Sequence, residues 1–119
     1  MAVIRITDLK LRTIIGTNDW ERDTKQDVVI NITIDFDALK ASKSDNIEDT
    51  VDYKALTKKI IQEVENSSFF LLEKLCNMAL QIIMQHPFVN KATVRIDKPH
   101  AIRFAETVSV ELSDKRSNE

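Results

Sequence analysis

VVINITIDF, residues 28–36, alternates without a break: Val28, Ile30, Ile32, Ile34 and Phe36 fall on one side, Asn31, Thr33 and Asp35 on the other. Successive side chains of an extended chain point to opposite faces, so this is a strand with one face on a core and one face wet. Upstream, residues 3–15, VIRITDLKLRTII, alternate in two phases: Ile4 and Ile6, then Leu9 and Leu11, with the frame slipping near Thr7 and Asp8. One extra residue at that point, a β-bulge, reconciles the two halves as a single strand. Downstream, residues 91–97, KATVRID, turn Ala92, Val94 and Ile96 inward. Near the C-terminus Val108, Val110 and Leu112 alternate with Ser109, Glu111 and Ser113. These are two further strands.

Between the two strand pairs the period changes. After the polar loop SKSDNIEDT, residues 42–50, Asp52 is placed to cap a helix in which Tyr53, Leu56, Ile60, Ile61 and Val64 recur at helical spacing. ENSS, residues 65–68, ends it. A second helix is predicted from near Phe69 to about His86, where Pro87 stops it, with Leu71, Leu72, Leu75, Met78, Ala79, Ile82 and Ile83 as its apolar arc. The order strand-strand-helix-helix-strand-strand predicts an α+β fold: a four-stranded antiparallel sheet with two helices on one face. The other face would carry Arg5, Asn31, Thr33, Asp35, Thr93, Arg95, Ser109 and Glu111. It meets either bulk water or a wet interior formed with other copies.

A chain of 119 residues, 43% hydrophobic and 30% charged, with one glycine and two prolines, has little room for linkers, so one domain is expected over 1–119, ending in a polar tail at 114–119. A net charge of -2, with Lys58-Lys59 and Lys115-Arg116 as the adjacent basic pairs, argues against a nucleic-acid surface. A local cationic pocket for a small anion remains compatible. The single Cys76 lies in an apolar helix, which points to a buried thiol and a reducing compartment. No apolar run approaches the ~18 residues of a membrane span, and a cytoplasmic protein is expected. Two histidines and one cysteine are too few for a zinc site of three or four ligands.

Several polar residues stand out. Glu73, in FFLLEKLC, falls at the border of an apolar arc near a helix N-terminus. It is either a surface glutamate favoured by the helix dipole or a carboxylate held for a bidentate grip on a flat N–H/N–H edge. Tyr53 opens the first helix on its apolar side, and Glu21 lies in the first strand connection after Gly16, with Trp20 and Arg22 beside it as candidates for shaping a pocket. Lys98 and His100 flank Pro99 in DKPHAIRFAETVSVEL, residues 97–112, and Arg103 follows. Each reads singly as an ordinary rim, loop or hairpin-tip residue. A connection so poor in glycine and so rich in Lys, His and Arg is nevertheless an odd turn and has the look of a site.

IGTNDWERDTKQDVVINITI, DTVDYKAL, LLEKL and DKPHAIRFAETVSV, in that order over nearly the whole chain, resemble the dihydroneopterin aldolase and epimerase family of the tunnelling fold. The pattern Asp97-Lys98, His100-Ala101, Arg103, Ala105, Val108-Ser109 is similar to the epimerase branch, whereas Pro99 matches the aldolase pattern. The resemblance implies rings of four subunits stacked into an octamer, with sites between adjacent subunits and no metal or other cofactor. It implies that Glu73, with the backbone of Leu72, anchors a pterin, that Tyr53 covers it from a neighbouring subunit, and that Glu21, Gln26 and Lys98 surround the substrate side chain. The implied reaction is retro-aldol and aldol chemistry on 7,8-dihydroneopterin or its triphosphate. It yields either the 2'-epimer or 6-hydroxymethyl-dihydropterin, with a non-catalytic pterin-binding oligomer as a further alternative. His100 and Arg103 are expected to hold the triphosphate.

Overall fold

The computed structural model describes residues 1–117. Its main sheet is built from β1 (Ala2–Ile15), β2 (Gln26–Phe36), β4 (Val89–Pro99) and β5 (Thr107–Lys115), each antiparallel to its neighbour. A fifth strand, β3 (Ser68–Phe69), pairs parallel with Ile14 and Ile15, so the order is β3-β1-β2-β4-β5. The expected four-stranded sheet is thus corrected to five. Two residues are too short to show alternation, and their pairing is non-local. The side chain of Thr13, fully buried, reinforces it by bonding to the Ser67 carbonyl at 3.0 Å.

Among the described residues the α-helices are three rather than two: α1 (Leu39–Ser44), α2 (Tyr53–Glu65) and α3 (Leu72–Met84). α1 buries no residue, so it leaves no apolar arc in the sequence. α2 begins as expected, the Asp52 carboxylate accepting the Ala55 N–H at 3.1 Å. α3 starts at Leu72 instead of near Phe69, because Phe69 is committed to β3. At the other end β5 continues through Asp114 and Lys115, which the sequence assigns to the tail. Arg116 then donates to the carbonyls of Met84, His86 and Val89, closing the C-terminal end of α3. Residues 118–119 of the expected tail lie outside the described residues.

The register shifts between Ile6 and Leu9 against Ile32 and Ile30, with Asp8 at φ 54°, which is the bulge predicted from the phase slip. Asp8 is held there by a mutual pair of bonds with Asn31, its N–H to Oδ1 at 2.9 Å and Asn31 Nδ2 to its carboxylate at 3.3 Å. The inward rows Ile6-Ile32-Val94-Leu112 and Leu9-Ile30-Ile96-Val110 meet Leu75, Ala79 and Ile83 of α3 and Leu56, Ile60 and Val64 of α2. Complete burial of each large aliphatic side chain contributes about 1.5–3 kcal/mol. Cys76 lies in this core, its thiol donating to the Val94 carbonyl at 3.1 Å, and burial pushes it up to about 11. The opposite face carries the rows Arg5-Thr33-Thr93 and Asn31-Arg95-Glu111. Among the described residues no helix is long and apolar enough to cross a membrane.

Candidate active site

At one end of the sheet the core gives way to a cleft of about 350 Å³. Three chain segments form it: the connection after β1, the entry to α3, and the end of the β4–β5 hairpin. Ala92, Val94 and Ile96 point inward, and two residues further on Lys98 takes the same side at the edge of the core, opposite Val108. It is therefore a strand residue rather than part of the hairpin tip. The tip begins at His100, whose N–H donates to the Glu106 carbonyl at 3.0 Å; His100 and Phe104 both have positive φ, 59° and 73°.

The ammonium of Lys98 meets Glu21 Oε2 at 2.5 Å. Glu21, only 4% exposed, sits in a 3-10 turn, Asp19–Arg22. Its carboxylate also accepts Gln26 Nε2 at 3.0 Å and the Asn18 N–H at 3.1 Å. Gln26 is oriented by a second bond to the Ile15 carbonyl at 2.7 Å. Burial alone raises the Glu21 carboxyl, but the bonds from Lys98, Gln26 and Asn18 outweigh it and hold it at about 2. Glu21 is thus a carboxylate at neutral pH, a weak base whose chemical use is to hold and orient the Lys98 ammonium.

Gly16 makes this possible. A Cβ built on it would stand 2.2 Å from the Glu21 carboxyl carbon, and its φ of 127° is one that residues with a side chain rarely adopt. Across the cleft, Phe70, Leu71, Leu72 and Glu73 form the opposite wall. Leu71 at the N-cap position makes no side-chain capping bond, and the first N–H groups of α3 have no intrahelical partner, so Glu73 and these donors share one corner. A carboxylate beside free backbone N–H groups suits a flat ring with donors and an acceptor on one edge.

Of the residues singled out in the sequence, Trp20, Glu21, Gln26, Lys98, His100, Leu72 and Glu73 line this one cleft. Tyr53 does not: it is half exposed at the start of α2 and borders a separate groove with Thr57 and Ile61. Arg103 lies on the hairpin tip with its guanidinium 5.1 Å above the Phe104 ring, away from the cleft wall. The Asn18 N–H has no signal in the sequence, since a backbone donor leaves no signature in residue type. Among the described residues no three His, Cys, Asp or Glu side chains cluster in a way that could hold a metal ion.

Residues 4–113 match the family described as FolB: Dihydroneopterin aldolase. The chain is 50% identical over 115 residues to the dihydroneopterin triphosphate 2'-epimerase of Escherichia coli, covering 97% of this chain and 96% of that one. To the enzyme of the same name from Pseudomonas aeruginosa it is 47% identical over 116 residues, 98% and 94% of the two chains. The crystal structure of Escherichia coli dihydroneopterin aldolase in complex with neopterin superposes with a TM-score of 0.90 at 27% identity, covering 96% of this chain and 99% of that one. With the fold and the match both running through nearly every element described above, the chain belongs to the dihydroneopterin aldolase (FolB) family.

Proposed function

We propose that this protein is a dihydroneopterin triphosphate 2'-epimerase, interconverting 7,8-dihydroneopterin triphosphate and its 2'-epimer, the monapterin form. The observation that carries the reading is the single cleft in which the Lys98–Glu21 pair faces Glu73 at the N-terminus of α3. Half of all aligned residues are shared with an epimerase, against 27% with the structurally aligned aldolase, which ranks epimerisation ahead of cleavage.

In this proposal the Glu73 carboxylate receives the N–H edge of the pterin, and the backbone N–H at Leu72 donates to the ring acceptor beside it. That leaves the pterin side chain directed toward Lys98, Glu21 and Gln26. Lys98, acting as its neutral amine through a bound water, takes the proton of the 2'-hydroxyl while the C1'–C2' bond breaks and its electron pair passes into the dihydropterin ring. The aldehyde fragment turns over, the bond re-forms, and the proton returns, so atoms and charge balance with the ring as electron sink. Holding both fragments in place is worth roughly 7–11 kcal/mol in the best oriented systems, and acid-base transfer adds about 10²- to 10⁴-fold. His100, on the cleft wall, and Arg103 beyond it are assigned to the triphosphate. Tyr53 is assigned to the site of an adjacent subunit in a ring-shaped tunnelling-fold oligomer, consistent with its place outside the cleft of its own chain.

The test is incubation with 7,8-dihydroneopterin triphosphate and, in parallel, 7,8-dihydroneopterin, followed by separation of the epimers. Monapterin triphosphate with little 6-hydroxymethyl product is expected; efficient cleavage of the free alcohol would make the protein an aldolase, and neither product would remove the enzymatic reading. Lys98→Ala is expected to bind pterin with turnover reduced at least ~10²-fold. Undiminished turnover would refute the role given to Lys98.

A further inference from the structure

Arg22 follows Glu21 directly and is flanked by acidic residues, yet among the described residues its guanidinium forms no ion pair. It turns instead to the backbone. Nη1 donates to the Gly16 carbonyl at 2.8 Å and to the Phe69 carbonyl at 3.0 Å, and Nη2 donates to the Ser68 carbonyl at 2.5 Å. The planar group also lies 4.0 Å from the centre of the Phe70 ring. Arg22 is half-buried and does not itself line the cleft.

Those four contacts connect parts of the chain with different duties. Gly16 begins the connection that bears Glu21, whose carboxylate holds Lys98. Ser68, Phe69 and Phe70 lead into Leu72 and Glu73. Beyond the pairing of β3 with Ile14 and Ile15, the backbone supplies a link between the two sides in the Gly16 N–H to the Phe69 carbonyl at 3.3 Å. Two residues of β3 are a short bridge for such a junction. An arginine suits the task because its rigid fork offers several donors in one plane while its face stacks on an aromatic ring. A lysine ammonium is a point donor and cannot do both.

We propose that Arg22 is a positioning residue of this site, fixing the segment that bears Glu21 against the segment that bears Glu73 and so setting the separation between the acid-base pair and the ring-holding wall. The clamp rests on the geometry alone; its effect on catalysis rests on the function proposed above. A displacement of about 1 Å between groups that must act on one substrate can cost ~10²-fold in rate, so a loosened junction is felt in turnover.

The experiment compares the full-length protein with Arg22→Met, which keeps the apolar stem, and Arg22→Lys, which keeps the charge. Amide hydrogen exchange is expected to accelerate about tenfold or more at Gly16 and Asn18 in both variants, with Ile30 and Ile32 unchanged. With 7,8-dihydroneopterin triphosphate, kcat is expected to fall at least about tenfold and KM to rise, and lysine is not expected to restore either. Unchanged exchange at Gly16 and Asn18 would overturn the clamp. So would faster exchange with kcat and KM within about twofold of the parent, or full recovery in Arg22→Lys. Where the methionine variant does not fold, the lysine variant decides by the same measurements. A parent protein that converts neither pterin would defeat the proposed function, while the exchange data would still decide the clamp.

Discussion

A single hydrogen atom on Gly16 leaves room for the Glu21 carboxylate, which would otherwise be only 2.2 Å from a Cβ. Gly16→Ala is therefore expected to do two things at once. Forcing a side chain into φ 127° costs roughly 1–3 kcal/mol, read as a lower urea midpoint. Moving the carboxylate off Lys98 is expected to lower kcat/KM by about 10²-fold. Glu21 also ties stability to pH. Its folded value of about 2 lies below the ordinary 4.5, so its contribution is complete above about pH 4.5 and is lost as pH falls toward 2. The stability gap between the parent and Glu21→Gln, followed by urea unfolding, should accordingly be constant near neutrality and close on acidification through that window. A gap that widened on acidification would contradict the assignment. The carboxylate, the glutamine and the lysine were each visible in the sequence as polar residues in suggestive places. Their convergence was not, because 77 residues separate Lys98 from Glu21 and no local pattern encodes that contact.

Elements were legible where their periodicity had length. β2 shows its core face in five alternating apolar residues, and the phase slip at Thr7 and Asp8 marks the bulge where the register shifts. β3 and α1 were not legible: the former has two residues, and the latter buries none. The start of α3 lies later than the sequence predicts for a related reason, since Phe69 and Phe70 look like the beginning of an apolar arc but serve the parallel pairing and the cleft wall instead. The bulge itself is open to test. Asp8 occupies left-handed space, where a β-branched side chain is strongly disfavoured, so Asp8→Val is expected to destabilise the protein by about 1–3 kcal/mol. Asp8→Gly relieves the conformation while losing a bond to Asn31, and should be closer to neutral.

On the scale of the whole molecule, one sheet face is covered by α2 and α3 and the other presents rows of Arg, Asn, Thr and Glu. The proposed ring of subunits gives that face an interior to line and brings Tyr53 of one copy to the cleft of another. Sites shared in this way can be complemented. Tyr53→Ala and Glu73→Gln proteins, each expected to be impaired alone, are expected to regain activity when unfolded together and refolded, because some mixed sites receive both intact residues. No recovery, or a native mass of 13.7 kDa by sedimentation, would place Tyr53 outside the chemistry. The buried thiol of Cys76 has a use at this scale as well. The chain has one cysteine, held in the core, where burial pushes its thiol up to about 11. A thiol reagent can modify it only when the core opens. The protein thus carries its own unfolding clock: the rate of labelling in the native state measures how often the core is breached, with no reporter residue introduced and no residue of the cleft disturbed.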